Sequence, residues 1–184
     1  MLPLCIVDTN VLVAGLLTQD PHSPTVYLVD AMVEGSLPFL LSPALVSEYK
    51  DVLARPKLSK LHKLTAQEQE HFLTELVANS IWREPSPSSY TPPDKGDAHL
   101  WSLLQSEPKA ILVTGDKLLL KQPLKGRLIY TPTDFLDHFR PRLIKRPVIH
   151  LPKAHPSDRA SAESLEGTLT DWETQADDDA YRDL

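Results

Sequence analysis

Four acidic residues lie far apart in this sequence, yet each stands in or beside an apolar segment. Asp8 follows "CIV", Glu48 lies in "PALVSEYKDVLARP", Asp97 lies in "DKGDAHLWSLLQS", and Asp116 follows "AILVTG". Carboxylates that are brought together repel one another unless a cation neutralises them, and oxygen-only ligands suit Mg²⁺ or Mn²⁺. A cation held in this way can activate water and shield a phosphodiester during in-line attack. Four converging acids would therefore predict a hydrolytic metal site.

The elements that must position these acids alternate along the chain. Each predicted helix has a recognisable start or stop, such as Pro after Ser at residues 23–24 and 42–43 or the capping box that begins at Thr65. Strands separated by helices predict an α/β fold of three layers, α/β/α, around a central parallel sheet of four or five strands. The apolar runs that predict strands are 3–7, 37–42, 110–116 and 127–132.

This topology predicts where the acids meet. In open α/β sheets, sites form outside the carboxyl ends of the strands. Asp8 and Asp116 end two predicted strands, and Glu48 lies on the second turn of the helix that follows another. Asp97 lies in the first turn of a helix that leads into the strand at 110–116. We therefore expect all four carboxylates at one edge of the sheet.

Each acid also has a simpler interpretation when it is taken alone. Asp8 and Asp97 could cap helices or interact with helix dipoles. Glu48 could be a solvated surface residue, and Asp116 a turn residue. Asp94, one helical turn before Asp97, is predicted to be an exposed helix cap. The shared location of the four acids, rather than any one of them, favours a functional site.

Five segments carry a resemblance to a known family. "VDTNVLVAGLL", "LSPALVSEYKDVLARPKL", "DKGDAHLWSLL", "ILVTGDKLLL" and "IYTPTDFL" resemble, in order and spacing, the successive motifs of the PIN-domain family, and especially its VapC-like toxins. The resemblance covers roughly residues 4–139. It implies an endoribonuclease that depends on Mg²⁺ or Mn²⁺ and acts as the toxin of a toxin–antitoxin system. It also implies an RNA substrate, an antitoxin partner and a homodimer.

The resemblance assigns roles to particular residues. Asn10 and Thr114 match polar residues that hydrogen-bond to the metal ligands. Many relatives have a further Asp where this chain has Leu118, so the number of metal ions stays open. Lysines near the acids are candidate phosphate contacts, namely Lys95, Lys117 and Lys121. The residues that match the family's catalytic and metal-binding acids are Asp8, Glu48, Asp97 and Asp116.

Composition limits the other possibilities. The chain has 184 residues, of which 41% are hydrophobic and 24% charged, as in ordinary soluble globular proteins. Its apolar runs are shorter than the roughly 18 residues of a membrane span. The single cysteine, Cys5, lies in a predicted strand, and the start of the chain lacks signal-peptide features. We therefore expect a cytoplasmic protein with no membrane partner. Trp82 and Trp101 are predicted to lie in the core.

Charge is distributed unevenly along the chain, which suggests a division of the chain into three parts. Residues 1–150 contain 16 basic and 16 acidic residues, whereas residues 151–184 contain 3 basic and 9 acidic ones. We predict a PIN-like nuclease domain at 1–140, a basic linker at 141–150 and an acidic tail at 151–184. The tail is either disordered or a binding segment that restrains the nuclease, since it resembles the toxin-binding segments of antitoxins. Its predicted anchors are Leu165, Leu169, Trp172 and Arg182.

Two other functions compete with a nuclease. A haloacid-dehalogenase-like phosphatase would also place an acid after the first strand, but it needs a second Asp where this chain has Asn10. A degenerate PIN-like module would hold RNA or a protein without cutting, and Leu118 is the residue that argues for it. Substitution of Asp8 by Asn separates cleavage from binding alone.

Overall fold

A computed structural model describes residues 2–143 of the chain. Within this part, short strands alternate with helices. The strands are β1 (Cys5–Val7), β2 (Leu40–Leu41), β3 (Ile81–Trp82), β4 (Ile111–Val113) and β5 (Leu128–Tyr130). The helices are α1 (Thr9–Leu17), α2 (Pro24–Val33), α3 (Pro43–Leu53), α4 (Pro56–His62), α5 (Ala66–Asn79), α6 (Ala98–Ser106), α7 (Lys117–Lys121) and α8 (Pro132–Leu143), and a 3₁₀ turn, Lys95–Asp97, precedes α6.

The strands pair in parallel. β4 lies between β1 and β5, and β2 pairs with β3. The two groups meet at Cys5, which forms a parallel bridge with Phe39 and donates its N–H to the carbonyl of Pro38 at 3.0 Å. The resulting order is β3-β2-β1-β4-β5. The predicted α/β class with a parallel sheet of four or five strands is confirmed.

Burial explains why the two central strands were recognisable as apolar runs. Every residue of β1 and β4 is buried, so both faces of these two strands are covered. Burial also raises the pKa of the Cys5 thiol, so that this side chain stays neutral. Trp101 is buried as predicted, but Trp82 is 41% exposed, and its expected place in the core is wrong. β3 is the last strand of its sheet, so Trp82 has a strand neighbour on one side only.

Helices α1 and α2 approach each other closely at Gly15. A Cβ atom at this position would lie 2.6 Å from Cγ2 of Val29 and 2.7 Å from the carbonyl oxygen of Thr25. Contacts this short are not tolerated between non-bonded heavy atoms. The absence of a side chain at Gly15 is therefore what lets α2 pack against the helix that begins after Asp8.

Local signals set most helix ends. Thr65 and Glu68 form the predicted capping box at the start of α5, and the Ser42 hydroxyl accepts the Leu45 N–H at the start of α3. Pro56 has two roles in the structure, since it lies after one helix and begins the next. It follows the end of α3 and also occupies the first position of α4, where a missing N–H has no cost.

Several predictions fall on residues 144–184, outside the described residues. They concern most of the basic linker and the acidic tail, with the anchors Leu165, Leu169, Trp172 and Arg182. Among residues 2–143, no helix combines the length and the apolar character that a membrane span requires.

Candidate active site

Asp8 is held at the carboxyl end of β1 by two side chains. Its N–H donates to the Val113 carbonyl at 2.9 Å, which continues the β1–β4 pairing by one residue. The hydroxyl of Thr114 donates to Oδ2 of Asp8 at 2.5 Å, and Nδ2 of Asn10 donates to the same oxygen at 3.0 Å. Asp8 is only 6% exposed. Its carboxylate is therefore both buried and fixed in orientation.

The alternative that Asp8 serves as a helix cap holds for its position but not for its side chain. Asp8 does occupy the N-cap position of α1, but its side chain makes no capping hydrogen bond. Its contacts are instead with Asn10 and with Thr114, which lies 106 residues away in the chain. The carboxylate thus belongs to the sheet edge and not to the start of the helix.

Asn10 and Thr114 also connect Asp8 to the segment that carries Asp116. Oδ1 of Asn10 accepts the Gly115 N–H at 3.0 Å, and Oγ1 of Thr114 accepts the Asp116 N–H at 2.9 Å. Asp116 in turn caps α7, since its Oδ1 accepts the Leu118 N–H at 2.5 Å. The short α7 helix was not predicted, because five residues are too few to show a helical period.

Glu48 is brought to the same edge through its neighbour in α3. The hydroxyl of Tyr49 is buried and donates to the carbonyl of Val7, the residue before Asp8. This contact ties α3 to the end of β1. The negative charge of Glu48 contributes to raising the pKa of Asp8, after the larger effect of burial. Glu48 and Asp8 are therefore electrostatic neighbours.

His99 contacts Glu48 from α6. Its Nε2 lies 2.9 Å from Oε2 of Glu48, and its Nδ1 lies 3.0 Å from the carbonyl oxygen of Gly96. Both neighbours are acceptors, and only the doubly protonated ring has an N–H for each. Burial lowers the pKa of His99, but the contact with Glu48 outweighs it and the pKa is raised. Burial likewise raises the pKa of Glu48, but the contact with His99 contributes to a net lowering.

No pattern in the sequence indicates this pair. His99 lies in the first turn of α6, and nothing in the sequence distinguishes it from an ordinary helix residue. Its partner lies 51 positions earlier on another helix. The pairing depends on how α3 and α6 pack, which a single sequence does not reveal.

Asp97 has a pKa that is raised further than that of Asp8, with burial as the largest cause in both. It is the last residue of the 3₁₀ turn, which Asp94 caps by accepting the Gly96 N–H at 2.8 Å, as predicted for Asp94. Oδ2 of Asp97 is buried and has no hydrogen-bond partner among the described residues. Burial, followed by the negative charges of Asp8 and Asp116, raises the pKa of Asp97 to about 8. Among the described residues, Oδ2 of Asp97 thus lacks the hydrogen-bond donor that would stabilise its charged form.

The four predicted acids therefore act on one another electrostatically. Burial, with smaller contributions from Glu48 and Asp116, raises the pKa of Asp8 to about 6. Crowded carboxylates with raised pKa values are what a divalent cation would stabilise, and their oxygens are the donors that Mg²⁺ or Mn²⁺ takes. The unpartnered Oδ2 of Asp97 also fits a cation. Among residues 2–143, however, no group of three or more His, Cys, Asp or Glu side chains is already arranged to hold a metal ion.

Three exposed lysines lie on the elements that carry Asp97 and Asp116. Lys95 belongs to the 3₁₀ turn, and Lys117 and Lys121 are the first and last residues of α7. Their roles as phosphate contacts stay predictions.

A parallel α/β sheet with acidic residues at the carboxyl ends of its strands is an arrangement that nuclease-type folds share with other hydrolases. The comparison with known families agrees, because the family described as "PIN domain" matches residues 5–118, and the chain belongs to this family. PIN domains are in general nucleases that use divalent metal ions, so nucleic acid is the substrate class and hydrolysis is the reaction class. No curated protein and no solved structure matches the chain significantly.

Proposed function

We propose that this protein is an endoribonuclease that depends on Mg²⁺ or Mn²⁺, with RNA as its substrate. Asp8, Glu48, Asp97 and Asp116 would hold the metal ion, directly or through water. The observation that carries the proposal is the buried Oδ2 of Asp97, which has no hydrogen-bond partner among residues 2–143 and lies in the field of Asp8 and Asp116. A cation would offset the burial and the repulsion that together raise the pKa of this group.

The residues around the metal ligands have separate tasks in this proposal. Thr114 and Asn10 hold Asp8 in one orientation, and the same two side chains position the backbone next to Asp116. When bound, Mg²⁺ or Mn²⁺ supplies Lewis-acid stabilisation of the negative charge that develops on the phosphodiester.

Glu48 is better suited to orient water than to take its proton. Its contact with His99 favours the charged carboxylate, and the pKa of Glu48 is lowered. A carboxylate with a lowered pKa is a poor general base near neutral pH, but it remains a good hydrogen-bond acceptor. In this proposal, Glu48 accepts a hydrogen bond from the attacking water and sets its direction.

A direct test is the cleavage of labelled single-stranded RNA by the full chain in Mg²⁺, in Mn²⁺ and in EDTA. We expect cleavage only with a divalent ion, and none from Asp8→Asn or Asp97→Asn. Asp51→Asn, at an exposed position of α3, is the matched control and should cut normally. Equal cleavage in EDTA would contradict the metal dependence. RNA that is bound but never cut would favour a binding module instead.

The toxin role rests on the resemblance to VapC-like proteins. We propose that the nuclease is the toxin of a toxin–antitoxin system, acts in the cytoplasm and works as a homodimer. Induced expression should arrest bacterial growth, and the Asp8→Asn variant should not. Sedimentation at micromolar concentration should give the mass of a dimer. Unchanged growth with an actively cutting protein would contradict the toxin role.

The acidic tail supplies the last part of the proposal. We infer that it restrains the nuclease in the way an antitoxin would, with Leu165, Leu169 and Trp172 as apolar anchors and Arg182 as a charged one. Replacing the three apolar anchors by Ala in the full chain should raise the cleavage rate. Val77→Ala, at an exposed apolar position of α5, is the control. An unchanged rate in the triple variant would show that the tail does not inhibit.

A further inference from the structure

A cleft of about 390 Å³ lies between two proline-containing loops. One loop leads to Asp94 and the 3₁₀ turn, and the other follows α7. The side chains that matter for its chemistry are those of Tyr90, Pro92, Trp101, Gln122, Pro123 and Lys125.

The loop that carries Tyr90 is anchored although the Tyr90 side chain is 56% exposed. The Ser88 N–H donates to the hydroxyl of Ser102 at 3.0 Å, and the Ser89 N–H donates to Oε1 of Gln105 at 3.0 Å. The Tyr90 N–H then donates to the hydroxyl of Ser88, also at 3.0 Å. Residues of α6 thus hold the loop, and an aromatic ring is presented to solvent from a fixed backbone.

The opposite wall is fixed in a similar way. The Gln122 N–H donates to the Leu118 carbonyl at 2.9 Å, and the Arg127 N–H donates to the Leu124 carbonyl at 2.9 Å. Leu124 is buried between these two contacts. The exposed Gln122 and Lys125 side chains therefore project from an anchored loop as well.

The cleft is close to two of the candidate metal ligands along the chain. Trp101 lies four residues after Asp97, which is about one helical turn of 5.4 Å along α6. Gln122 directly follows α7, the five-residue helix that Asp116 caps. Both sides of the cleft are thus continuous in the chain with elements that carry Asp97 and Asp116.

The chemistry of the cleft suits a nucleotide. The exposed Tyr90 ring and the flat face of the exposed Pro123 suit a planar aromatic group. The Gln122 amide can both donate and accept, as the edge of a nucleobase requires. Lys125, with Lys121 nearby on α7, supplies positive charge for a phosphate.

We propose that this cleft binds one unpaired nucleotide of the RNA substrate, with its base stacked on Tyr90 and a phosphate facing Lys125. The inference rests on the proposed function for the identity of the ligand. Stacking on an aromatic side chain requires a base that is not paired in a duplex. The cleft would therefore restrict the enzyme to single-stranded RNA beside the cut.

The test is the affinity of the full chain for a fluorescent single-stranded RNA of about ten nucleotides, measured by anisotropy in EDTA so that no cutting occurs. We expect Tyr90→Ala to weaken binding about tenfold, which is within the range of one base-stacking contact. Tyr90→Phe should bind like the wild type, because the ring and not the hydroxyl makes the contact. Trp82→Ala, which removes an exposed aromatic side chain on β3, is the matched control and should not change the affinity.

An abasic ribose-phosphate chain of the same length sharpens the test. It should bind the wild type less tightly than RNA, and Tyr90→Ala should cause no further loss, since the base that Tyr90 contacts is missing. Equal RNA affinities of the wild type and Tyr90→Ala would overturn the inference. Unchanged RNA affinity together with faster cleavage by Tyr90→Ala would also overturn the inference. The cleft would then hold an inhibitory protein segment and not RNA.

The same measurements separate this inference from the proposed function. Binding that depends on Tyr90, without cleavage in Mg²⁺ or Mn²⁺, would contradict the nuclease and leave the cleft assignment standing. Cleavage that depends on metal, with no effect of Tyr90→Ala on RNA affinity, would support the nuclease and contradict the cleft assignment.

Discussion

His99 and Glu48 form a charged contact between α6 and α3, with 2.9 Å between Nε2 and Oε2. Because the other ring nitrogen of His99 faces the Gly96 carbonyl, the ring has acceptors on both sides and is held as an imidazolium. The pair thus keeps Glu48 charged at the edge where Asp8 and Asp97 lie. His99 is a positioning residue in this account, since it acts through Glu48.

Replacing His99 should therefore affect turnover more than substrate binding. We expect His99→Ala to lower kcat about tenfold with little change in KM, as is usual for partners of metal ligands. Without His99, the pKa of Glu48 rises, so the acid limb of the kcat profile should move to higher pH. His99→Gln, which keeps a neutral donor, should recover part of the rate. Steady-state kinetics from pH 5 to pH 9 measure these effects, and an unchanged profile for His99→Ala would contradict the assignment.

The stability of the metal-free protein should fall as pH rises. The folded protein keeps a proton on Asp97 up to about pH 8, whereas the unfolded chain loses it near the ordinary value of 3.8. The folded state thus binds more protons in this window, and its free energy of unfolding decreases by about 2–4 kcal/mol from pH 4 to pH 8. Urea unfolding in EDTA measures this slope.

Asp97→Asn is the variant that tests the cause of that slope. It removes the ionisable group, so the decline with pH should become shallower and the metal-free protein should be more stable than the wild type at pH 8. Asp51→Asn is again the control and should leave the slope as it is. A wild-type protein whose stability rises between pH 4 and pH 8 would contradict the raised pKa of Asp97.

Thr114 should be essential for the orientation of Asp8. Thr114→Val removes the hydroxyl that donates to Asp8 and accepts from the Asp116 N–H, and it should cost about 1.5–3 kcal/mol because a buried carboxylate loses a donor. Thr114→Ser keeps the hydroxyl and should stay within about 1 kcal/mol of the wild type. Chemical denaturation of both variants measures the difference. Equal stability of the Val and Ser variants would show that the hydroxyl does not hold Asp8.

Gly15→Ala should destabilise the protein through the contact of α1 with α2. The added methyl group would meet Cγ2 of Val29 at 2.6 Å and the Thr25 carbonyl oxygen at 2.7 Å. The side chain can rotate, but the carbonyl belongs to the α2 backbone, so the helices must separate. We expect a loss of about 1–3 kcal/mol in thermal or urea unfolding. A stabilised variant, as Gly to Ala would give in a free helix, would contradict the close approach.

Apolar runs predicted the sheet because its central strands are buried on both faces. The predicted strand at 110–116 contains β4, which spans only Ile111–Val113, since pairing ends before the polar residues at the edge begin. The helices α4 and α7 were missed, because seven and five residues show too little of a helical period. Strand existence was therefore predictable, whereas strand length and short helices were not.

The position of the acids could be predicted from the sequence, but their side-chain contacts could not. A parallel sheet collects strand ends at one edge, so Asp8 and Asp116 could be placed there from topology alone. Whether Asp8 caps a helix could not be decided, because the answer depends on Thr114 on another strand. The pair of His99 and Glu48 was hidden for the same reason, since side-chain packing between helices leaves no local pattern.

The central claim is that Asp8, Asp97 and Asp116 hold a divalent cation at the edge of the sheet, with Glu48 beside them. Diffraction from crystals soaked in Mn²⁺, recorded where manganese scatters anomalously, tests it most directly. The account predicts a strong anomalous peak in contact with the carboxylates of Asp8, Asp97 and Asp116, and its loss in Asp97→Asn crystals. A peak elsewhere, or none in the wild type, would contradict it.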